Sequence, residues 1–582
     1  MNRPGHTARP AAEAAASRAP AQEERDRTAE EQSPYAKRLG QLSPWRRRGL
    51  LLIAGAASVL AMAPFFLSPV LFLTLPVLVL AIDEAAGRFT GGDRRRRMAR
   101  AFGAGWWFGF GYHLAGLFWI GEAFLVEAET FAALMPFAVT AMPAGLALFF
   151  GGATAVAAAC WRPGLARVGI LALTCAAAEW LRGHLLTGFP WNVLGYALTF
   201  PLPLMQAASI LGIYGLTLVA VAAFAWPGTC WIDGWRPRHA GDLARLAALV
   251  ATPFVVLAAV GATLLAARPP EAAHSQTVRI VQPSVPQREK WRPENQERIF
   301  RQHIDLSKRS AEGIEDGGRG VSLILWPEAS MPFLPLNSPV AIAMIADFLP
   351  QDAMLASGAL RVEEGPAGPG LGAGRRIYNS LLVFGEGARL VGHYDKIHLV
   401  PFGEYLPLQP WLEAIGLQQL TKLRGGFAAG VRPRPHLQIG TLPTMAPLIC
   451  YEAIFPGAAV QQTPRPAVLI NVTNDGWFGN TSGPRQHLHQ ARVRAVEEGL
   501  PLLRAANNGI SAIIDAQGRL VASLGMDEVG VIDGRIPGIG RRTLYSLAGD
   551  WLFLGLMGII ALWLIVSGRR AARREQDAMG NG

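Results

Sequence analysis

The sequence predicts a polytopic α-helical membrane domain of eight spans, seven plus one, carrying one large α/β domain. Three observations point there. Of 582 residues, 51% are hydrophobic and only 17% charged, whereas soluble domains carry about a quarter charged residues. Apolar stretches lie near 49–66, 68–83, 101–121, 132–159, 165–181, 204–226, 244–267 and 550–567, most of them near the ~20 residues a helix needs to cross a ~30 Å hydrocarbon core. Between the last two, from 276 onward, the pattern turns to short β-branched runs, Gly/Pro loops and helix-like stretches. A wholly soluble multidomain enzyme, a disordered chain and a disulfide-stapled secreted protein (there are only 4 Cys) are thereby excluded. The net charge of +11 by itself suggests nucleic acid. The arginines, however, cluster beside apolar segments, so no nucleic-acid partner is expected.

In chain order, residues 1–48 are Ala-, Arg- and Glu-rich without apolar periodicity and read as a disordered cytoplasmic tail. The membrane domain is 49–267, seven helices. Its first two apolar stretches are short and broken by Ser68-Pro69; they are taken as two spans rather than a re-entrant hairpin. Ala61-Met62-Ala63 resembles a signal-peptidase site, but Pro64 follows and the preceding polar region is far too long, so the first span reads as an uncleaved anchor. Arg46–Arg48, Arg94–Arg97 with Arg100, Arg162 with Arg167, Arg236 with Arg238, and Arg569, Arg570, Arg573 and Arg574 occupy alternate connections. The other connections are uncharged at Ser68-Pro69, or acidic at Glu122, Glu127 and Glu129. Cytoplasmic loops collect Lys and Arg, so all basic loops share a side only with seven spans before the large domain. Both termini are then cytoplasmic, residues 268–548 lie outside, 549–568 form the last transmembrane helix, and 569–582 form a cytoplasmic tail.

In the outer domain, strands are expected at Thr277–Val281, Val321–Trp326, Ala353–Ala359, Ser380–Phe384, Met445–Cys450, Val468–Thr473, Ser511–Asp515 and Leu520–Ser523, with amphipathic helices near 294–312, 338–349 and 484–499. Strands covered by helices on one face and by a second sheet on the other read this way. The run ending at Trp326-Pro327 puts Glu328 past a strand's carboxyl end, and Met445–Ile449 delivers Cys450 to another; such ends are where sites form in α/β sheets. Lys396 follows a strand in the mixed stretch His393–Tyr405. Cys450 is the only Cys of this domain, and a leftover thiol outside the cell is either buried and inert or reactive. A thiolate is a nucleophile, a carboxylate raised by burial can take its proton, and an ammonium can stabilise both thiolate and oxyanion. The three residues are far apart in sequence, so spacing alone does not bring them together.

Trp326-Pro-Glu328, Tyr394-Asp-Lys396 with His398-Leu-Val-Pro-Phe-Gly-Glu404, and Ile449-Cys-Tyr-Glu452 resemble the Glu-Lys-Cys blocks of the nitrilase (carbon-nitrogen hydrolase) superfamily, and within it the apolipoprotein N-acyltransferase family. Trp180–Gly183, Thr187–Asn192, Asn474–Gly479 and Arg504–Gly509 add to the resemblance, which covers residues 45–567. It implies a nitrilase-like αββα domain seated on eight membrane helices in a bacterial inner membrane, with the catalytic domain periplasmic. It also implies transfer of an acyl chain from a phospholipid, typically phosphatidylethanolamine, to the α-amino group of the diacylglyceryl-cysteine of apolipoproteins. By the resemblance Cys450 is the nucleophile and thioester carrier, Glu328 the general base and acid, and Lys396 with the Tyr451 backbone N–H the oxyanion holder. Glu404 is the carboxylate that orients Lys396, or else a simple cap. Trp291, Tyr451 and Glu452 match positions used around the substrate; Trp291 otherwise reads as an interfacial anchor and Glu452 as a salt-bridge partner. Arg182, in the loop after the fifth span, pairs with a lipid phosphate or with Glu179. His487 and His489 are two apart, which splits them to different helix faces, and no metal or cofactor is implied. Apolar loops at Leu406–Gly416 and Gly425-Gly426 are expected to guard a thioester from water. The competing readings are a membrane-tethered amidase or nitrilase acting on a small amide, and a non-catalytic lipid-binding scaffold.

Overall fold

The computed structural model describes residues 34–87, 93–162, 164–233, 239–267, 269–364, 374–414, 419–421 and 426–580. Most of the expected N-terminal tail, Arg236 and Arg238, and Gly416 and Gly425 of the expected gating loops lie outside the described residues. Among the described residues, seven helices of fifteen residues or more precede the α/β domain, with shorter ones between them: α1 (Pro44–Ser58), α2 (Leu71–Gly87), α3 (Arg94–Gly116), α4 (Met135–Ala159), α5 (Leu165–His184), α6 (Ala208–Ile232, broken at Gly212) and α7 (Ala240–Ala267). Among the described residues five helical segments are long and apolar enough to cross a membrane by themselves: Ser68–Gly87, Ala128–Ala159, Ala208–Thr229, Ala240–Ala267 and Trp551–Arg570. The other three expected spans fall short for physical reasons. α1 has 15 residues, α3 opens on Arg94–Arg97, and α5 carries Arg167, Glu179 and Arg182. They are held instead by packing. A Cβ on Gly55 of α1 would lie 1.9 Å from the Phe108 carbonyl oxygen, and one on Gly111 of α3 would lie 2.0 Å from that of Leu52. Only glycine lets these two backbones touch, as small residues do between membrane helices.

Among the described residues the α/β domain contains eleven strands: β1 (Thr277–Gln282), β2 (Leu323–Leu325), β3 (Met354–Glu364), β4 (Arg375–Phe384), β5 (Leu390–Asp395), β6 (Met445–Ile449), β7 (Val468–Thr473), β8 (Leu502–Ala506), β9 (Ser511–Ile514), β10 (Leu520–Leu524) and β11 (Gly530–Arg535). One sheet runs β11-β1-β2-β3-β4-β5 and the other β10-β9-β8-β7-β6. Alternation along the strands builds the layers. Ile280, Leu325, Ile449, Ile470 and Leu503 pack between the sheets. Val281, Ile324 and Leu382 point the other way, onto Phe300 and Ile304 of α8 (Gln296–Ser307) and Ile345 of α9 (Pro339–Phe348). Leu469 and Leu502 likewise meet Leu488, Ala491 and Ala495 of α10 (Ser482–Glu498). The order is helix, sheet, sheet, helix. The chain ends in α11 (Trp551–Gly580).

Two boundaries differ from expectation. Residues assigned to the tail are helical at Pro34–Gln41, where Leu39 is buried against Leu51 and Ala81. α11 continues through the residues expected as a C-terminal tail, to Gly580. Contacts distinguish the two ends of the membrane bundle. At one end Arg47 meets Glu84 at 3.3 Å, Arg167 meets Asp83 at 3.3 Å and Asp233 at 2.8 Å, and Arg162 donates to the Leu564 carbonyl at 2.8 Å. At the other, Trp180 donates to Asp550 at 2.8 Å, the Tyr451 hydroxyl to the Gly188 carbonyl at 2.9 Å, and the Ile213 N–H to Glu497 at 2.9 Å. The α/β domain therefore sits on the end opposite the basic cluster.

Candidate active site

Three parallel or adjoining strand ends open toward the membrane helices, and each delivers one reactive side chain. β2 leads through Trp326-Pro327 to Glu328, β5 ends one residue before Lys396, and β6 ends one residue before Cys450. Cys450 begins a tight 3₁₀ turn with φ +50°, a left-handed conformation unfavourable for a side-chain-bearing residue. Such strain persists only where surrounding contacts over-determine it, and it concentrates at functional sites. Here Glu452 supplies those contacts.

The Lys396 ammonium lies 2.9 Å from Glu404 Oε1 and 3.3 Å from Glu328 Oε1. The Asn379 side-chain amide donates to both carboxylates, at 2.8 Å to Glu328 and 2.9 Å to Glu404. Glu328 Oε2 accepts the Asn474 N–H at 2.9 Å, and Glu404 Oε2 accepts the Val400 N–H at 2.8 Å. Both carboxylates and the lysine are buried. Burial disfavours the Lys396 charge, but Glu404 and Glu328 outweigh it and raise the pKa, so Lys396 remains an ammonium. Burial, with Glu328 adding to it, pushes the Cys450 thiol up against the pull of Lys396. At rest the sulfur is protonated, and it becomes a nucleophile only as a base removes its proton.

A second buried amine stands close by. Lys290 donates to the Glu328 backbone carbonyl at 3.0 Å, and burial lowers its pKa to about 7 despite the Glu328 charge. A cavity of about 2160 Å³ joins this polar floor to the membrane helices. Glu328, Lys396, Glu404, Cys450 and Tyr451 line one end; Phe137, Leu148, Phe149, Leu181 and Met557 line the other. Leu406 of the expected gating segment borders it too, as does Leu420.

Glu328, Lys396, Cys450, Glu404 and Tyr451 are thus gathered at one cavity, with Trp291 at its rim, 41% exposed. Two expected substrate contacts are corrected. Glu452 is fully buried away from the cavity. It accepts from the Ile397, His398 and Ile449 N–H groups at 3.0, 3.1 and 2.8 Å, from Tyr394 at 2.7 Å, and from Arg434 at 3.0 Å. Burial would raise its pKa; Arg434 overrides this and holds the carboxylate below its ordinary range. It is the salt-bridge partner that ties the Lys396 segment to the Cys450 turn. Arg182 belongs to the last turn of α5, not to a loop. It borders the cavity, but its guanidinium donates to Glu179 at 2.5 Å and to the Phe189 and Trp191 carbonyls at 2.5 and 3.0 Å, which leaves it committed inside the protein. Cys450, Asp475 and His487 each place a ligand-type atom within 4.8 Å of one another. Arg504, 2.7 Å from Asp475 and 3.1 Å from His487, already supplies a fixed positive charge there.

Comparison with known proteins accounts for both halves. The carbon-nitrogen hydrolase family model matches residues 277–540, and that of the apolipoprotein N-acyltransferase N-terminal domain matches 54–226. An apolipoprotein N-acyltransferase of Rhodopseudomonas palustris is 45% identical over 90% of this chain and 96% of its own length. The chain belongs to the apolipoprotein N-acyltransferase family. Relatives of the same name from Bradyrhizobium diazoefficiens and Brucella suis are 43% and 42% identical, over 91% and 89% of this chain and 96% and 94% of theirs. Family membership and five membrane-length apolar segments make it an integral membrane protein.

Sequence reasoning passed over Asn379, Lys290 and Arg434, and gave Asp475 and His487 no role at the site. Lys290 sits beside Trp291, and Asp475 lies in the Asn474–Gly479 block, so both had a signal. Arg434, in a Pro-rich stretch, had none.

Proposed function

We propose that this protein moves a fatty acyl chain from a membrane phospholipid to the N-terminal α-amino group of diacylglyceryl-cysteine on apolipoproteins, through a thioester on Cys450. The observation that carries it is the continuity of one cavity from the Cys450 site to apolar faces of the membrane helices. Extracting an acyl chain into water costs about 0.8 kcal/mol per CH₂, roughly 12 kcal/mol for a chain of about sixteen carbons. A cavity open to the bilayer removes that cost. A small-amide hydrolase has no use for it.

In the first step Glu328 takes the thiol proton and the sulfur attacks the donor ester carbonyl. The oxyanion is held by Lys396 and the Tyr451 N–H, with Glu404 and Asn379 keeping the ammonium in place. Collapse expels the lysophospholipid alkoxide, which takes the proton from Glu328. In the second step the acceptor amine attacks the thioester, Glu328 accepts its proton, and the thiolate leaves and is reprotonated. Two half-reactions at one sulfur give ping-pong kinetics. Phosphatidylethanolamine is the proposed donor, and Trp291 at the rim is the proposed contact for the lipid substrates.

The same reading proposes eight spans in a bacterial inner membrane, both termini cytoplasmic, and the domain bounded by 268–548 in the periplasm. Support comes from the basic ends of the helices lying opposite that domain, as the positive-inside rule requires. Proteoliposomes holding the full chain, phosphatidylethanolamine and a diacylglyceryl-cysteine peptide test it. The expected products are N-acyl peptide and lysophospholipid in equal amounts. Ammonia release from small amides with no peptide acylation would overturn it.

A further inference from the structure

Behind the thiol lies a polar cluster that the mechanism above does not use. His487, Asp475 and Arg504 are all fully buried. Asp475 accepts from Arg504 at 2.7 Å and from Thr473 at 2.9 Å, and although burial opposes it, Arg504 and His487 hold its pKa at about 2. His487 Nδ1 is 2.8 Å from Asp475 Oδ1 and 3.1 Å from Arg504 Nη2, and its Nε2 is 3.1 Å from the Cys450 carbonyl oxygen. Burial and then Arg504 lower the His487 pKa, against the pull of Asp475. A carbonyl oxygen only accepts, so the Nε2 contact is an N–H donated to the Cys450 carbonyl, while Nδ1 faces both the Asp475 carboxylate, which accepts, and an Arg504 N–H, which donates.

That carbonyl belongs to the same peptide unit as the Tyr451 N–H. Hydrogen bonds in series polarise one another, so a donor on the carbonyl strengthens the N–H as a donor and fixes the plane of the peptide. We propose that His487 is a positioning residue for acyl transfer, holding and polarising the Cys450–Tyr451 peptide so that the Tyr451 N–H meets the oxyanion; this rests on the Cys450 thioester reading above. The ring is in turn held by the membrane domain. The neighbouring Gln486 accepts the indole N–H groups of Trp119 and Trp191 at 3.2 and 2.7 Å, and the Trp191 ring lies 5.6 Å from the His487 ring. The start of α10 therefore links the membrane helix ends to the nucleophile.

The test uses full-length protein in phosphatidylethanolamine proteoliposomes, with donor lipid ¹³C-labelled at the acyl carbonyl. Wild type must first form a hydroxylamine-labile adduct on Cys450; its absence overturns the thioester reading, and this inference with it. Given that adduct, His487→Phe is expected to slow its formation about tenfold or more with unchanged KM for lipid, and to shift the labelled thioester carbonyl stretch to higher wavenumber. His487→Gln, whose amide can donate to the same carbonyl, is expected to recover both readouts in large part. If His487→Phe does not fold, His487→Gln and His487→Ala are compared by the same carbonyl stretch. A wild-type rate and stretch without a donor at 487, or equal defects in Gln and Ala, would overturn the proposal.

Discussion

Glu452→Gln separates a structural carboxylate from a substrate contact. The wild-type oxygens accept from three backbone N–H groups, the Tyr394 hydroxyl and the Arg434 guanidinium, all within 3.1 Å. The variant puts an NH₂ group where only donors point, and leaves the buried Arg434 without its counter-charge. Removing one partner of a buried ion pair costs about 3–5 kcal/mol, because the other charge stays buried and unpaired. For a domain of this size that lowers the unfolding midpoint by roughly 5–20 °C. The assay is thermal unfolding of detergent-solubilised protein, with lipid KM measured on the folded fraction at low temperature. The pH dependence carries a sign. The Glu452 pKa is depressed in the folded state, so its stabilisation is present above the ordinary carboxylate range and lost as pH falls through the lowered value. That acid-side loss should be missing from Glu452→Gln. A midpoint within about 2 °C of wild type, together with a large rise in lipid KM, would refute the structural role.

Other outcomes follow from the same geometry. Lys290 has its pKa lowered to about 7 by burial, so the unfolded chain binds more protons between that value and the ordinary lysine range, and wild-type stability should rise with pH there; in Lys290→Met the rise should be smaller, and identical pH–stability curves would contradict this. Lys396→Met should cut thioester formation by about 10²–10³, and a change below tenfold would mean that the oxyanion is held elsewhere. Trp291→Ala, at the exposed rim, should raise lipid KM with little change in thermal midpoint, whereas a stability loss with unchanged KM would make Trp291 a packing residue. Hydrogen exchange at Leu406–Ala414 should slow on adding phospholipid; equal protection with and without lipid would argue against a gate.

The fold class was legible because its signals are local. Apolar runs marked the membrane helices, and β-branched runs marked eight of the eleven strands. The three missed strands lack that signature. β5 reads Leu-Val-Gly-His-Tyr-Asp, β8 has Arg504 and two alanines in place of β-branched residues, and β11 is bounded by glycine. They are strands because neighbours in the sheets pair with them. Apolar runs were visible at α1, α3 and α5 too, but these helices are short or charged and gain stability from close packing and internal ion pairs. At the site, Glu328 and Cys450 stood out because each follows an expected strand end within a distinctive block, and Lys396 because of the unusual mixed stretch His393–Tyr405 around it. For Glu452 and Arg182 a substrate contact and an internal ion pair both stayed open, because the sequence does not reveal a partner's distance. Arg434 is 18 residues from Glu452, and the carbonyls of Phe189 and Trp191 reach Arg182 by a turn of the chain. His487 was weighed only as a metal ligand, since its contact with the Cys450 carbonyl spans 37 residues.

The whole account depends on Cys450 as an acyl carrier. Intact mass of the full-length protein after incubation with phosphatidylethanolamine vesicles, before and after hydroxylamine, measures this directly. A long-chain adduct that disappears with hydroxylamine, maps to Cys450 and never forms in Cys450→Ala is the predicted result. No adduct on wild type, or an adduct that persists in Cys450→Ala, would contradict it.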